Sequence, residues 1–140
     1  TKAMTSKHWI VAEGLHRANG TFVPDNRHGF GFGASVTGPL AQGVAALQAD
    51  LDAAASVPGQ QLALVGHGMS GDLRALAKAG VVLPASTVLI DTEAVVWGLM
   101  GGTKAGAATS LRTLAQWVGI QGVAGLHNAG NDARYTLDAL

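Results

Sequence analysis

Two short apolar runs, each leading directly into a helical pattern, constrain this chain more than any other feature. Residues 61–66 (QLALVG) are almost wholly apolar, as in a strand covered on both faces, and Gly66-His67-Gly68 reads as a tight strand-to-helix connection. Residues 72–79 then set Leu73, Leu76 and Ala77 on one helical face, with Gly80 as a C-cap. The pattern recurs at residues 87–90 (TVLI), a strand that runs into Asp91-Thr92, with a helical turn over 93–99. Upstream, residues 7–13 (KHWIVAE) read as a strand, with Trp9 and Val11 on one face and Ile10 on the other. Pro39 opens a helix whose Leu40, Val44, Leu47, Leu51 and Ala54 form one stripe, ended by Pro58-Gly59. Ser110 caps a helix with Leu111, Leu114, Ala115 and Val118 inward, stopped by Gly119, and a last helix covers 128–140. Strands alternating with helices imply an α/β layer architecture with a partly parallel sheet, where ligands collect at the carboxyl ends of strands.

Composition narrows the function classes. At 140 residues the chain is read as one domain, and 48% hydrophobic against 13% charged residues argues against intrinsic disorder. Nine basic and nine acidic residues cancel, so there is no general basic field and any phosphate recognition is local. The absence of cysteine excludes a disulfide scaffold and thiolate metal sites and fits a reducing, intracellular compartment, cytoplasmic or nuclear. No apolar run reaches membrane-spanning length, and residues 1–6 are not a signal peptide. Residues 15–35, rich in Gly, Asn, Asp and Pro, form a long loop that Phe22, Phe30 and Phe32 are expected to pin to the body. Residues 101–108 are a small-residue loop and a candidate for mobility. The last helix has no stop signal and is expected to continue in a longer parent chain.

The chemistry is carried by acidic groups at element ends. Asp72 opens a helix after a strand, Asp91 ends a strand, and Asp132 lies in the first turn of the last helix, behind His127. Carboxylates converging from separate elements are what two divalent cations require. Each group also has an ordinary reading. Asp72 and Asp132 suit a helix dipole, Asp91-Thr92 is preferred as a helix N-cap, and His67 is preferred as a hydrogen-bonded structural histidine. His127 sits in a loop, where its imidazole could take a proton from water near neutral pH. Arg74, Arg112 and Arg134 are modest candidates for phosphate contacts, although solvated helix faces explain them as well.

In combination these pieces resemble a known family. Residues 66–72 (GHGMSGD), Asp91-Thr92, residues 110–120 and His127-Asn128-Ala129-Gly130-Asn131-Asp132 follow the order of RNase H-like 3′–5′ exonucleases of the DEDD type with a histidine. Residues 127–133, with residues 7–11, 22–25 and 30–33, are similar to a fungal exonuclease-like branch, and the resemblance covers most of residues 7–140. It implies an RNase H-like mixed sheet flanked by helices, with four carboxylates holding two Mg²⁺ or Mn²⁺ ions at a single-stranded end of DNA or RNA. It gives Asp72 and Asp132 the role of metal ligands and His127 that of general base. The Asp-x-Glu pair of the first strand has no counterpart; Val11-Ala12-Glu13 does not supply it, because Val11 is not a ligand. The domain is therefore expected to lack its first strands and to be inactive in this form. A catalytically dead module binding RNA or a protein partner is the alternative. A third reading, a small hydrolase, fails on spacing, since Gly68-Met69-Ser70-Gly71 is one residue short of a nucleophile elbow.

Overall fold

The computed structural model describes residues 4–102 and 109–140, so residues 103–108 of the small-residue loop lie outside the described residues. The described order is β1 (His8–Val11), a 3-10 turn (Ala12–Gly14), β2 (Ser35–Gly38), α1 (Leu40–Ala55), β3 (Ala63–Gly66), α2 (Ser70–Lys78), β4 (Val88–Asp91), α3 (Thr92–Leu99), α4 (Leu111–Trp117) and α5 (Ala129–Asp138). This is the α/β class read from the sequence, and it is consistent with an RNase H-like architecture. By their contacts the residues divide into two compact units, Thr1–Leu40 with Leu111–Leu140, and Ala41–Ser110.

In the first unit β1 and β2 run parallel, from His8 opposite Ser35 to Val11 opposite Gly38. The alternation expected of β1 is present, with His8 and Ile10 buried and Trp9 and Val11 half-buried. Two side chains tie the strands: His8 Nδ1 lies 2.9 Å from Ser35 Oγ, and the Trp9 indole N–H donates to the Gly38 carbonyl at 3.2 Å. Strand β2 carries no apolar period, since Ser35, Val36 and Thr37 are all exposed, and its place in the sequence reads only as the end of a loop. Helix α5 packs on both β1 and α4. Ile10, Leu114, Ala115, Leu126 and Tyr135 are the buried apolar residues of this unit.

Parallel strands need a crossover of a dozen or more residues, usually a helix. Between β1 and β2 the crossover is instead the long loop. Phe30 and Phe32 pin it as expected: the Phe30 ring lies 5.1 Å from the His8 ring, and the Phe32 ring meets Tyr135 edge-on at 5.3 Å. Phe22 does not follow them. It is 97% exposed, which corrects the expectation that all three rings hold the loop down.

The second unit contains a strand–helix–strand motif, with β3 and β4 parallel from Ala63 opposite Val88 to Gly66 opposite Asp91. Leu51, Met69, Val81 and Val96 are its buried apolar residues. The Gln48 side chain joins α1 to the segment before β4, giving and taking 2.9 Å hydrogen bonds with the backbone of Val82. Gly80 ends α2 at φ +89°, as read, and α3 is an eight-residue helix rather than one turn. Strand β3 was expected to be covered on both faces; its residues are exposed or half-buried, and Leu89 of β4 is 49% exposed. Each sheet has two strands among the described residues. In the α1 stripe Leu51 alone is buried. Among the described residues no helix is long and apolar enough to cross a membrane.

Two glycines in helices separate packing from propensity. A Cβ on Gly130 would stand 2.7 Å from a Phe30 ring carbon and 3.1 Å from His8 Cβ, whereas one on Gly71 meets nothing within 4 Å. Gly130→Ala should therefore destabilise by about 1–3 kcal/mol through overpacking. Gly71→Ala should stabilise by about 0.5–1 kcal/mol through helix propensity and a less flexible unfolded chain. Urea denaturation of both variants checks the opposite signs.

Candidate functional site

The segment from Gly125 to Asp132 is built around two asparagines that are almost fully buried, Asn128 at 1% and Asn131 at 2% exposure. Asn128 is the N-cap of α5: its side-chain oxygen accepts from the Gly130 and Asn131 amides at 3.1 Å. Its side-chain nitrogen donates to the carbonyls of Asn26 at 2.8 Å and Arg27 at 3.3 Å. Asn131 donates to Gly29 and Gly125 carbonyls at 2.9 Å and accepts from the Gly31 amide at 2.9 Å. Asn26 answers with a 2.6 Å bond from its side chain to the Leu126 carbonyl. An amide side chain offers two N–H donors and one carbonyl, and all three are used in both Asn128 and Asn131. The motif's asparagines are thus a latch that fastens residues 26–31 to the start of α5.

The latch leaves His127 on the surface at φ +67°, among the described residues the only non-glycine with positive φ. A bulky side chain in the left-handed region costs of order 1–3 kcal/mol and persists only where its surroundings enforce it. Here Asp132 contributes, its carboxylate accepting from the His127 amide at 3.2 Å. His127 lines an open pocket of about 300 Å³ together with Trp9, Arg17, Asn19, Asp25 and Arg27, all in the first unit. Its imidazole makes no hydrogen bond with the described residues. One wall of the pocket is held by Arg27. Its guanidinium binds both Asp25 oxygens, the Gly14 carbonyl at 3.3 Å, the Leu15 carbonyl at 3.1 Å and the Arg17 carbonyl. That pairing holds the Asp25 carboxyl below the usual carboxylate range.

In the second unit the acidic groups separate by role. Asp91 is itself the N-cap of α3, accepting from the Glu93 amide at 3.0 Å, and it also accepts from the Gly68 and Met69 amides at 2.9 Å. It therefore cross-links the end of β4 to the turn between β3 and α2. Burial works against its charge, but the backbone N–H groups outweigh this and keep its pKa below the ordinary value. The N-cap reading is the right one, although the capping side chain is Asp91 rather than Thr92. His67 is structural as preferred, with Nδ1 2.9 Å from Thr92 Oγ1 and Nε2 2.6 Å from the Thr109 carbonyl. Asp72 lies in the first turn of α2, exposed, with no hydrogen bond or ion pair to the described residues. Glu13 is occupied elsewhere, its carboxylate capping the Leu40 amide at 3.0 Å. Arg134 pairs with Asp138 at 3.0 Å and covers the Phe32 ring, and Arg74 bonds its own helix at Ser70, which explains both without phosphate.

Metal binding can be tested against these contacts. Among the described residues no three His, Asp or Glu side chains converge as a cation site. Sequence reasoning named His127, Asp72 and Asp132 but missed Asn128 and Asn131. The available signal was an asparagine at an N-cap position, three residues before a second asparagine on the same helical face.

Two stability experiments follow. Asn131→Ala removes three hydrogen bonds made by a side chain that is 2% exposed, to backbone groups of Gly29, Gly31 and Gly125, and should cost about 1–3 kcal/mol. His127→Gly should unfold no more easily than the wild type, because relief at φ +67° offsets the extra chain entropy of glycine. The acid response has two expected phases. Burial, and then His28, lower the pKa of His8. Below about pH 6.5 the unfolded chain gains a proton that folded His8 refuses, and stability falls until the lowered folded pKa is reached. The Asp91 contribution is present above its unfolded value of about 3.9 and is lost as pH falls through its depressed folded value. Urea midpoints between pH 8 and pH 3 should show both phases, and His8→Gln should remove the first.

Comparison with known proteins identifies the family. The whole chain, residues 1–140, matches the family described as the DNA polymerase III subunit epsilon-like, C-terminal domain. The chain is 31% identical over 137 residues to an uncharacterized nucleolar protein of Schizosaccharomyces pombe, covering 95% of this chain and 54% of that protein. It is 32% identical over 156 residues to an uncharacterized protein of Saccharomyces cerevisiae, covering 94% of this chain and 31% of the other. The chain thus spans about half of one relative and a third of the other. No solved structure matches it. The match over residues 1–140 shows that the chain belongs to the DNA polymerase III subunit epsilon-like C-terminal domain family, a family of DEDD-type exonucleases with a histidine.

Proposed function

We propose that this chain is the part of a 3′–5′ exonuclease that supplies His127, Asp132 and Asp72 to hydrolysis at a single-stranded end of DNA or RNA. The observation that carries the reading is His127, an exposed, unbonded imidazole held at φ +67° beside a pocket, in a chain matched end to end by an exonuclease family. The latch and Asp132 hold the residue in that conformation, and residues held in this way cluster at active sites. In this role the imidazole accepts the proton of the attacking water, worth typically about 10²–10⁴-fold in rate. Asp132 fixes the backbone from which that ring projects. Asp72 and Asp132 are the groups here that would hold Mg²⁺ or Mn²⁺, which when bound activate water and stabilise the leaving oxygen. The remaining acids are proposed to come from an Asp-x-Glu strand elsewhere in the full-length protein. The name of the nucleolar relative supports a nuclear location.

A second reading has an observation of its own. The Asp132 carboxylate is already engaged by the His127 amide, and no acidic cluster forms among the described residues. Both suit a catalytically silent module that binds RNA or a protein.

Two measurements separate these. Calorimetric titration with Mn²⁺ should show weak binding or none in this chain, because two carboxylates do not compete with the water shells of two divalent ions. Tight two-site binding would contradict the proposed division of ligands. On end-labelled oligonucleotides in Mg²⁺ or Mn²⁺, this chain should be inert and the full-length protein active. In the active protein His127→Ala should lower turnover by roughly 10²–10⁴-fold while sparing metal binding. A full-length protein that binds RNA and hydrolyses nothing favours the silent module. Enzyme-like activity in this chain that survives Asp72→Ala removes the assigned site altogether.

A further inference from the structure

The loop between β1 and β2 spends many interactions on displaying one ring. Phe22 is 97% exposed at its tip, the most exposed of the large apolar side chains. The tip is a tight turn, with the Val23 amide on the Gly20 carbonyl at 3.3 Å, closed by the Asn19 side chain on the Pro24 carbonyl at 2.9 Å. Behind it, the Arg27 guanidinium gathers the Gly14, Leu15 and Arg17 carbonyls and the Asp25 carboxylate. The Asn26, Asn128 and Asn131 contacts then fasten the loop's far end to α5. A loop ordered in this way pays little further entropy when its tip binds.

We propose that this loop is a docking element for single-stranded nucleic acid, with Phe22 stacking on a base and Arg17 meeting the backbone. Two observations favour that partner. The same loop walls the pocket into which His127 opens, so a strand held at the tip lies against the same unit as the imidazole. Its charge suits an anion: Asp25 is neutralised by Arg27, while the exposed Arg17 guanidinium has no partner among the described residues. Next to the ring in sequence stand the exposed polar and cationic residues His16, Arg17, Asn19 and Thr21, with Leu15, Val23 and Pro24 as the exposed apolar residues of the same stretch. A lone aromatic with a nearby cation is the sequence-tolerant combination used on single strands.

The inference rests on the reading that this unit handles nucleic acid, and its test needs no hydrolysis. Fluorescence anisotropy of this chain with labelled oligo-dT and oligo-rA, in EDTA, should show binding. Phe22→Ala should weaken it roughly tenfold, and Phe22→Tyr should retain it. Arg17→Ala should weaken binding and lower the salt slope by about one. Phe22→Trp should add indole emission to that of Trp9, Trp97 and Trp117, and oligonucleotide should quench more of the variant's emission than of the wild type's. Oligonucleotide affinity unchanged in Phe22→Ala, or no binding by the wild type, overturns the proposal and leaves the ring to a protein contact. Phe22-dependent binding with an inert full-length protein removes the exonuclease reading and keeps this one. Hydrolysis by the full-length protein with Phe22-independent binding does the reverse.

Discussion

The first unit depends on the mutual hydrogen bonding of Asn26, Asn128 and Asn131. Strands β1 and β2 are parallel and joined by no crossover helix, so something must hold the connecting loop against the body. Two side-chain amides do this by standing in for a neighbouring strand, pairing with backbone groups of residues 26–31 that would otherwise face solvent or apolar surroundings. The arrangement is closely fitted. A Cβ on Gly125 would fall 2.6 Å from the Asn131 side-chain nitrogen, and one on Gly130 would meet the Phe30 ring. Small residues are needed there because the loop is drawn in so tightly. The same tightness presents His127 outward, since a chain that must satisfy the asparagines on either side of α5's start has little freedom at residue 127.

The second unit uses one carboxylate in a comparable way. Asp91 collects amides from the β3–α2 turn and from α3, so that the ends of both parallel strands are held by one side chain. His67 and Thr92 complete the junction, with the Thr92 hydroxyl 3.1 Å from the Gly66 carbonyl. Acids at strand ends are therefore not equivalent. Asp91 is committed to the fold, whereas Asp72, in the first turn of α2, makes no hydrogen bond with the described residues. Three backbone donors hold the Asp91 carboxylate in place and favour its charged form.

Much of this was legible in the sequence, and the misses have physical causes. The strands at residues 8–11, 63–66 and 88–91 and the helices after them follow from apolar periodicity, and Gly80 and Gly119 end helices at positive φ as their positions suggest. Strand β2 is not legible in the sequence because Ser35, Val36 and Thr37 are exposed and carry no apolar period, while a parallel backbone ladder and the His8 and Trp9 side chains join it to β1. Burial of β3 and of the α1 stripe was overestimated because an apolar pattern reports what a face can cover, not whether a second layer is present. Phe22 was assigned to the body by analogy with Phe30 and Phe32, but nothing local distinguishes a pinned ring from a displayed one. The site was read through its titratable residues, and the asparagines that set their geometry were passed over because a neutral amide suggests no chemistry.

Amide hydrogen exchange at Gly31, Gly130 and Asn131 tests the latch most directly, since their N–H groups are bound by the two asparagine side chains. The account predicts that all three exchange only through global unfolding, with the same free energy and the same urea dependence as the buried amides of β1. Exchange of Gly31 on the timescale of an open surface loop, while Gly130 and Asn131 stay protected, would show that residues 26–31 are not fastened to α5 and that the position of His127 is set by something else.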